Sequence, residues 1–545
     1  MIVLENNGGG GGWAYDPAFR YSIQFQENML KYSVCLALLL SACGGGSGSP
    51  APTTPTDPTP DPGSGEIAFS FEQPDIAVLE GESTQVVVKA KSSKIIADPL
   101  NVLVQSTSAF AEDAVAQIGG TAEFQLHLET SRGLPAGKHE GVLKISLCKD
   151  EPRSCKSPYP GSPWALSYQI EVVSNTPNLK PLADLPGAVA WSGLRANAQR
   201  TAYLATTSVM DPAKFSLRWR QQGQYQEPLI AARGRLYSKL RVLDENDGAL
   251  LWQGPATADT PVISQGKVFA HVQDGNGGST LSAFDAENGD LLARLGEPGA
   301  RPLSDQLLSD DAFIYQGSRR KFAMATGVQQ WAAPAIASVE FFTPSMAAGR
   351  IHVLDGENLH IVSTVDGSKL VSLATQESKG ASRPFTTVAD GSERVLASHF
   401  NYAGSSLSSF SVTQGKKLWS VLSGFRSTPA LADATVYVVN APRNDYGTAA
   451  LEARSSVTGE LLWSTPLPDA PFFPTAEPVY EVIVVGDLVF VSSNRQSGSA
   501  TYAISRTSHA INWRFPVNGN LMASDKGILY IGRPADGGLF AVNLQ

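Results

Sequence analysis

Residues 427–463 read STPALADATVYVVNAPRNDYGTAALEARSSVTGELLW. Four short β-prone runs follow one another here. STPALAD opens with Thr428-Pro429, ATVYVVN is rich in β-branched and aromatic residues, and TAALEARS alternates in polarity. ELLWS is reached through a tight turn at Gly459. Such runs, separated by turn residues, read as four consecutive antiparallel strands.

The pattern recurs along the second half of the chain. LDENDGALLW ends at Trp252, MATGVQQW at Trp331, VTQGKKLW at Trp419 and SRTSHAINW at Trp513, as SSVTGELLW ends at Trp463. Trp219 in FSLRWR has the same strand context with no turn before it. The turn positions are Gly248, Gly289, Gly327, Gly367, Gly415, Gly459 and His509, 38 to 50 residues apart. A repeat of that length with several strands per unit predicts a β-propeller. First strands begin near Pro228, Thr260, Arg301, Thr343, Pro384, Thr428, Pro478 and Asn520, which gives eight blades. The last unit ends at LFAVNLQ without a fourth strand, and FSLRWR is the free strand that would complete it. Closure of that kind removes unpaired sheet edges.

These residues resemble the repeats of the pyrroloquinoline-quinone (PQQ)-like propellers, in which an alanine is followed six residues later by a glycine and four later by a tryptophan. Ala453, Gly459 and Trp463 match all three positions. Ala503 and Trp513 match two, with His509 in place of glycine; Ala283 and Gly289 match, with Ala293 in place of tryptophan, and Val371 replaces it in the fourth unit. The resemblance covers about Phe215 to Gln545. It implies that each indole packs against a small residue of the next blade, and Trp463, in the unit that matches the motif best, is expected to be buried between blades.

Upstream, MLKYSVCLALLLSAC starts at Met29 with one cation, a short apolar run and Leu40-Ser41-Ala42-Cys43. This resembles a lipoprotein signal (29–42) whose lipobox places the diacylglycerol on the Cys43 sulfur. Residues 1–28 read as an extension ahead of the expected start. Residues 43–65, rich in proline and threonine, predict an extended tether. Gly44, rather than aspartate, after the lipidated cysteine leads to an expected outer-membrane location, facing the periplasm.

Residues 66–175 carry strand-like runs such as STQVVVKAK, AEFQLHLET and LSYQIEVVS and predict a small immunoglobulin-like β-sandwich; 176–545 form the propeller region. The fold class is thus all-β, a sandwich followed by an eight-bladed propeller. Cys148 and Cys155 are the one thiol pair outside the signal, and they predict a disulfide in an oxidising compartment.

The chemistry suggested by the remaining sequence is sparse. A net charge of −9 argues against a nucleic-acid surface. There is no haem attachment motif, no HExxH and no phosphate-cradling loop. The seven histidines sit mostly singly in strand-like runs, and His352 and His360 are the two that could lie close together. Asp244-Glu245-Asn246-Asp247-Gly248 and Asp274-Gly275-Asn276 have calcium-loop composition but also that of ordinary hairpins. The quinone dehydrogenases of the resembling fold use adjacent cysteines in many members, and this chain has no such pair. No cofactor, metal or catalytic residue is therefore expected. The leading expectation is a non-enzymatic, lipid-anchored scaffold for envelope proteins. The nearest analogue is BamB, the propeller lipoprotein of the outer-membrane β-barrel assembly machinery. A surface adhesion or ligand-binding lipoprotein and a PQQ-dependent dehydrogenase are the alternatives.

Overall fold

The computed structural model describes residues 67–545 apart from short segments, of which 335–342, 376–382, 442–448, 469–479 and 494–499 are the longest. Cys43, the signal, the tether and residues 1–28 lie outside the described residues, as does the loop 274–277.

Residues 67–173 form two sheets. Ile67–Phe71, Gln85–Ser92 and Glu123–Glu129 make a three-stranded sheet. A five-stranded sheet runs in the order Ile76–Leu79, Trp164–Val173, Gly137–Cys148, Leu100–Gln105, Ala114–Ile118. Alternation along each strand sends Val86, Val88, Leu126 and Leu128 from one sheet, and Val102, Val104, Leu143, Ile145 and Ile170 from the other, into one shared core. Cys148 and Cys155 are joined in a disulfide beside it.

Eight blades of four antiparallel strands follow, in chain order in all but the eighth; the sheet of the seventh carries an added fifth strand, Tyr203–Leu204. They occupy 229–253, 262–300, 307–332, 345–374, 383–423, 430–466, 480–515 and 520–543. The eighth is completed by Ser216–Gln221, which pairs antiparallel with Gly538–Asn543 and sets Trp219 opposite Ala541. The strand left over at the front therefore closes the ring, as the incomplete last unit requires.

The fourth strand of each blade meets the next blade through its tryptophan. A Cβ on Gly289 would come within 2.6 Å of the Trp252 ring, and one on Gly459 within 2.8 Å of Trp419. Both glycines also sit at φ +78°. Only glycine satisfies the turn and the ring together. The indole nitrogens of Trp219, Trp252, Trp331 and Trp419 donate to the carbonyls of Glu245, Ala286, Thr364 and Ser456, each three residues before the glycine. Where tryptophan is missing, smaller side chains reach the same turn: Leu295 lies 3.4 Å from a Cβ built on Gly327, and Val371 4.0 Å from one on Gly415.

Trp463 packs against the core but is only partly buried, as are Trp419 and Trp513, whereas Trp219 is 4% exposed. At the turn position of the next blade Trp463 meets His509, itself at φ +58°. Its ring stacks on the indole at 4.4 Å between centroids, so the turn stands off by the thickness of a ring. Trp513 is covered edge-on by Phe215, just ahead of the closing strand, at 5.3 Å.

Closure is also electrostatic. The buried Arg218 guanidinium donates to the carbonyls of Glu245 and Asn246, to Asn246 Oδ1 and to Asn543 Oδ1. In the loop 244–248 the Asp244 and Asp247 carboxylates accept the backbone N–H groups of Asn246 and Ala249. The fully buried Glu245 carboxyl accepts from Tyr530 of the eighth blade at 3.0 Å, and burial pushes its pKa up to about 7.

Two outcomes are expected. Trp219→Ala should destabilise the protein by about 3–5 kcal/mol, and Trp463→Ala by clearly less, measured by chemical denaturation. Because the Glu245 pKa is raised, its contribution is intact below about pH 4.5 and is lost as pH rises through about 7. Glu245→Gln should therefore gain stability over the wild type by up to about 3 kcal/mol at pH 8 and by little at pH 4. A constant difference across that range would refute the assignment.

Candidate functional site

The antiparallel order of the blades sorts their connections onto two ends. Turns between first and second strands and between third and fourth strands lie at one end, and none exceeds five residues. The other end carries the second-to-third hairpins and the crossings to the next blade. These include the long connections Ala332 to Ser345, Asn440 to Ala450 and Pro466 to Tyr480. Connections at a loop face can carry binding groups without disturbing the ring.

First strands line the axis, and those of neighbouring blades contact one another. Their inward edges would leave backbone groups unpaired. The segment between sandwich and propeller, 185–210, fills that place. Leu185 N–H bonds to Asp525 O at the turn end of blade 8. The carbonyls of Trp191, Ser192, Ala198, Gln199, Thr201 and Ala202 then accept from Ala231, Ile263, Met346, Ala389, Leu431 and Val484 in blades 1, 2, 4, 5, 6 and 7. Tyr203–Leu204 adds a parallel strand to the first strand of blade 7, and Gly486 N–H bonds to Leu204 O on the way out. The segment enters and leaves by the turn end, so its middle points towards the loop face.

Arg200 is the centre of this plug. It is 1% exposed, and its guanidinium donates to the carbonyls of Leu307 in blade 3, Pro344 in blade 4 and Leu194 of the plug itself. Burial, with a smaller push from the charge of Arg195, lowers its pKa to about 9, so it still carries its proton at neutral pH. Arg195 reaches Pro429 O at 2.8 Å and the Glu481 carboxylate at 3.4 Å. Arg195, Ala196, Arg200 and Ala202 all have left-handed backbones (φ +51° to +81°). Such strain, about 1–3 kcal/mol each, persists only where the surroundings over-determine it.

Above the plug remains a cavity of about 280 Å³. Residues leading the first strands form its wall: Pro228, Thr260, Gln306, Thr343, Thr386, Thr428, Glu481 and Asn520, one from each blade. Trp191, Leu194, Arg195 and Ala202 of the plug form its floor. This polar funnel at the loop-face end of the axis is the candidate site. The Thr-Pro steps that mark blade starts in the sequence supply much of its rim. The plug was not foreseen. Its signal is a 176–214 stretch too long for a simple linker, holding Trp191 and two arginines amid small residues.

The histidines serve strands. His271 bonds to the Asp259 carboxylate, His352 Nδ1 meets Ser345 Oγ at 3.1 Å, and His360 bonds to Asp355 at 2.6 Å and Ser372 at 2.8 Å. His352 and His360 lie on adjacent strands but keep separate partners. Burial holds His352 far below its usual pKa, at about 3, which keeps it neutral. Among the described residues no group of acidic, cysteine and histidine side chains has the arrangement of a metal site, and no helix is long and apolar enough to cross a membrane.

Comparison with known proteins places this geometry. Several solved structures are similar over the propeller. A quinohemoprotein alcohol dehydrogenase, ADHIIG of Pseudomonas putida HK5, shares 12% identity over 66% of this chain and 83% of its own, with a TM-score of 0.46. A europium-containing methanol dehydrogenase shares 11% over 65% and 98%, with a TM-score of 0.48. A quinohemoprotein alcohol dehydrogenase from Comamonas testosteroni shares 10% over 65% and 80%, at 0.47. No curated protein matches the sequence. The family model described as outer membrane protein assembly factor BamB matches residues 187–465, just over half of the chain, from the plug to the sixth blade. The chain belongs to this BamB-type family of PQQ-like repeat propellers.

Proposed function

We propose that the protein is a non-enzymatic scaffold, lipid-anchored through Cys43 at the outer membrane and facing the periplasm. It presents the propeller's loop face to envelope protein partners and serves in outer-membrane protein assembly. The observation that carries this reading is the plug. The axial position, where side chains from all the blades converge, is given over to the chain's own backbone. The long connections between strands lie at one end of the ring. That division suits contact with another protein, which needs area and adaptable loops. Family membership supports the assembly role, and the sandwich and tether would hold the propeller away from the membrane.

Crosslinking in intact envelopes followed by purification tests the proposal. Membrane assembly proteins should be captured by the wild type. Their yield should fall sharply with Cys43→Ala, which should also lose incorporation of a fatty-acid analogue. Capture of none, or quinone-dependent dye reduction by the purified protein, would refute the scaffold reading.

A further inference from the structure

We propose that the axial cavity binds a small carboxylate that also bears an N–H or O–H donor, of the size and charge of an acidic amino acid. The inference concerns a ligand rather than the protein partner, and it stands apart from the scaffold role. The argument starts from charge. The lining holds one cation, Arg195, and one anion, Glu481, which face each other at 3.4 Å. Arg200 lies directly beneath, bonded to Leu194 O in the cavity floor, and has no carboxylate among its bonds. Among the described residues of the plug and cavity lining, two guanidiniums against one carboxylate leave one positive charge in excess. Buried cations favour an anion, and a guanidinium favours the two oxygens of a carboxylate.

The walls then specify the rest of the molecule. Glu481 offers an acceptor on the same side, so a ligand donor beside its carboxylate would meet it. Thr260, Thr343, Thr386 and Thr428, with Gln306 and Asn520, surround the space with hydroxyls and amides able to donate or accept. The polar lining is not internally satisfied: Arg195 Nε is a buried donor and Gln306 Oε1 a buried acceptor, neither with a hydrogen-bond partner. A cavity of about 280 Å³ holds roughly nine water-sized groups, which suits a small acid and excludes a folded partner. Trp191 and Leu229 give one apolar side on which a short methylene stem can rest.

Calorimetric titration of the whole chain tests this with L-glutamate, succinate and putrescine as probes. L-glutamate should bind saturably, succinate more weakly, and the dication putrescine not at all. Glu481→Gln removes the negative charge that faces the ammonium and loosens its hold on Arg195. It should weaken L-glutamate at least tenfold and leave succinate unchanged or tighter. Thr428→Val, a partly exposed rim position, should weaken both acids severalfold without shifting the melting temperature. Arg195→Lys keeps the charge but loses the fork and should weaken both tenfold or more; if it fails to fold, the contrast between the two acids in Glu481→Gln decides. The proposal is overturned if the wild type shows no saturable binding of either acid, or if Glu481→Gln and Thr428→Val leave both affinities as they were. Either result leaves the capture of envelope proteins to be judged separately.

Discussion

The inner edge of a propeller is its hardest constraint. Each first strand turns one row of backbone donors and acceptors towards an axis too narrow for another sheet, and buried groups of that kind must be paired. Here the constraint is met by the chain itself. A run of about twenty residues threads the axis and accepts backbone hydrogen bonds from six blades. It reaches a seventh through Arg200 and touches the eighth through Leu185. An arginine suits the middle of such a plug because its five donors fan out in a plane towards carbonyls on different blades. Lysine's three donors all radiate from a single nitrogen and lack that planar spread. The left-handed residues around it show the local cost, which the converging hydrogen bonds offset.

From that axle outward, the ring is held at two further radii. Mid-blade, second-strand aromatics such as Tyr237, Tyr437 and Tyr530 sit against the fourth-strand tryptophans Trp252, Trp463 and Trp219. At the rim, the indoles cross to the next blade's turn. Covalent continuity is missing only inside blade 8, between Gly538–Asn543 and the closing strand Ser216–Gln221, and a polar network surrounds that join: Arg218, Glu245, Asn246, Tyr530 and Asn543. The linker leaving the sandwich is fastened to the same join, with Asn178 bonded to Leu217 and Lys180 to the carbonyl of Gln545. Glu82 of the sandwich pairs with Arg220 of the closing strand at 3.1 Å.

What was legible in the sequence follows from what repeats. The indole–glycine spacing needs the same residue types at each blade, so it declares the blade count and the closing strand in one chain. The disulfide was legible because Cys148 and Cys155 had no rivals. The plug was not, because it occurs once. Its hydrogen bonds use backbone carbonyls that any residue supplies, and nothing in GAVAWSGLRANAQRTA identifies the strands that it meets. Trp463 shows a different limit. The motif fixes where an indole points but not how closely the next turn approaches, and that depended on His509 from another unit. The candidate cavity was half visible: its threonines mark blade starts in the sequence, while Arg195 comes from the plug and Glu481 lacks a motif.

The central claim is that the axial segment is an integral part of the ring. Native-state hydrogen exchange on the amides of Ile263, Met346, Ala389, Leu431 and Val484, which donate to the plug, tests it most directly. If the account is right, these amides exchange only with global unfolding, at the same free energy as amides of the blade interiors. If they exchange early while the second and third strands stay protected, the plug is a removable insert and the account is wrong.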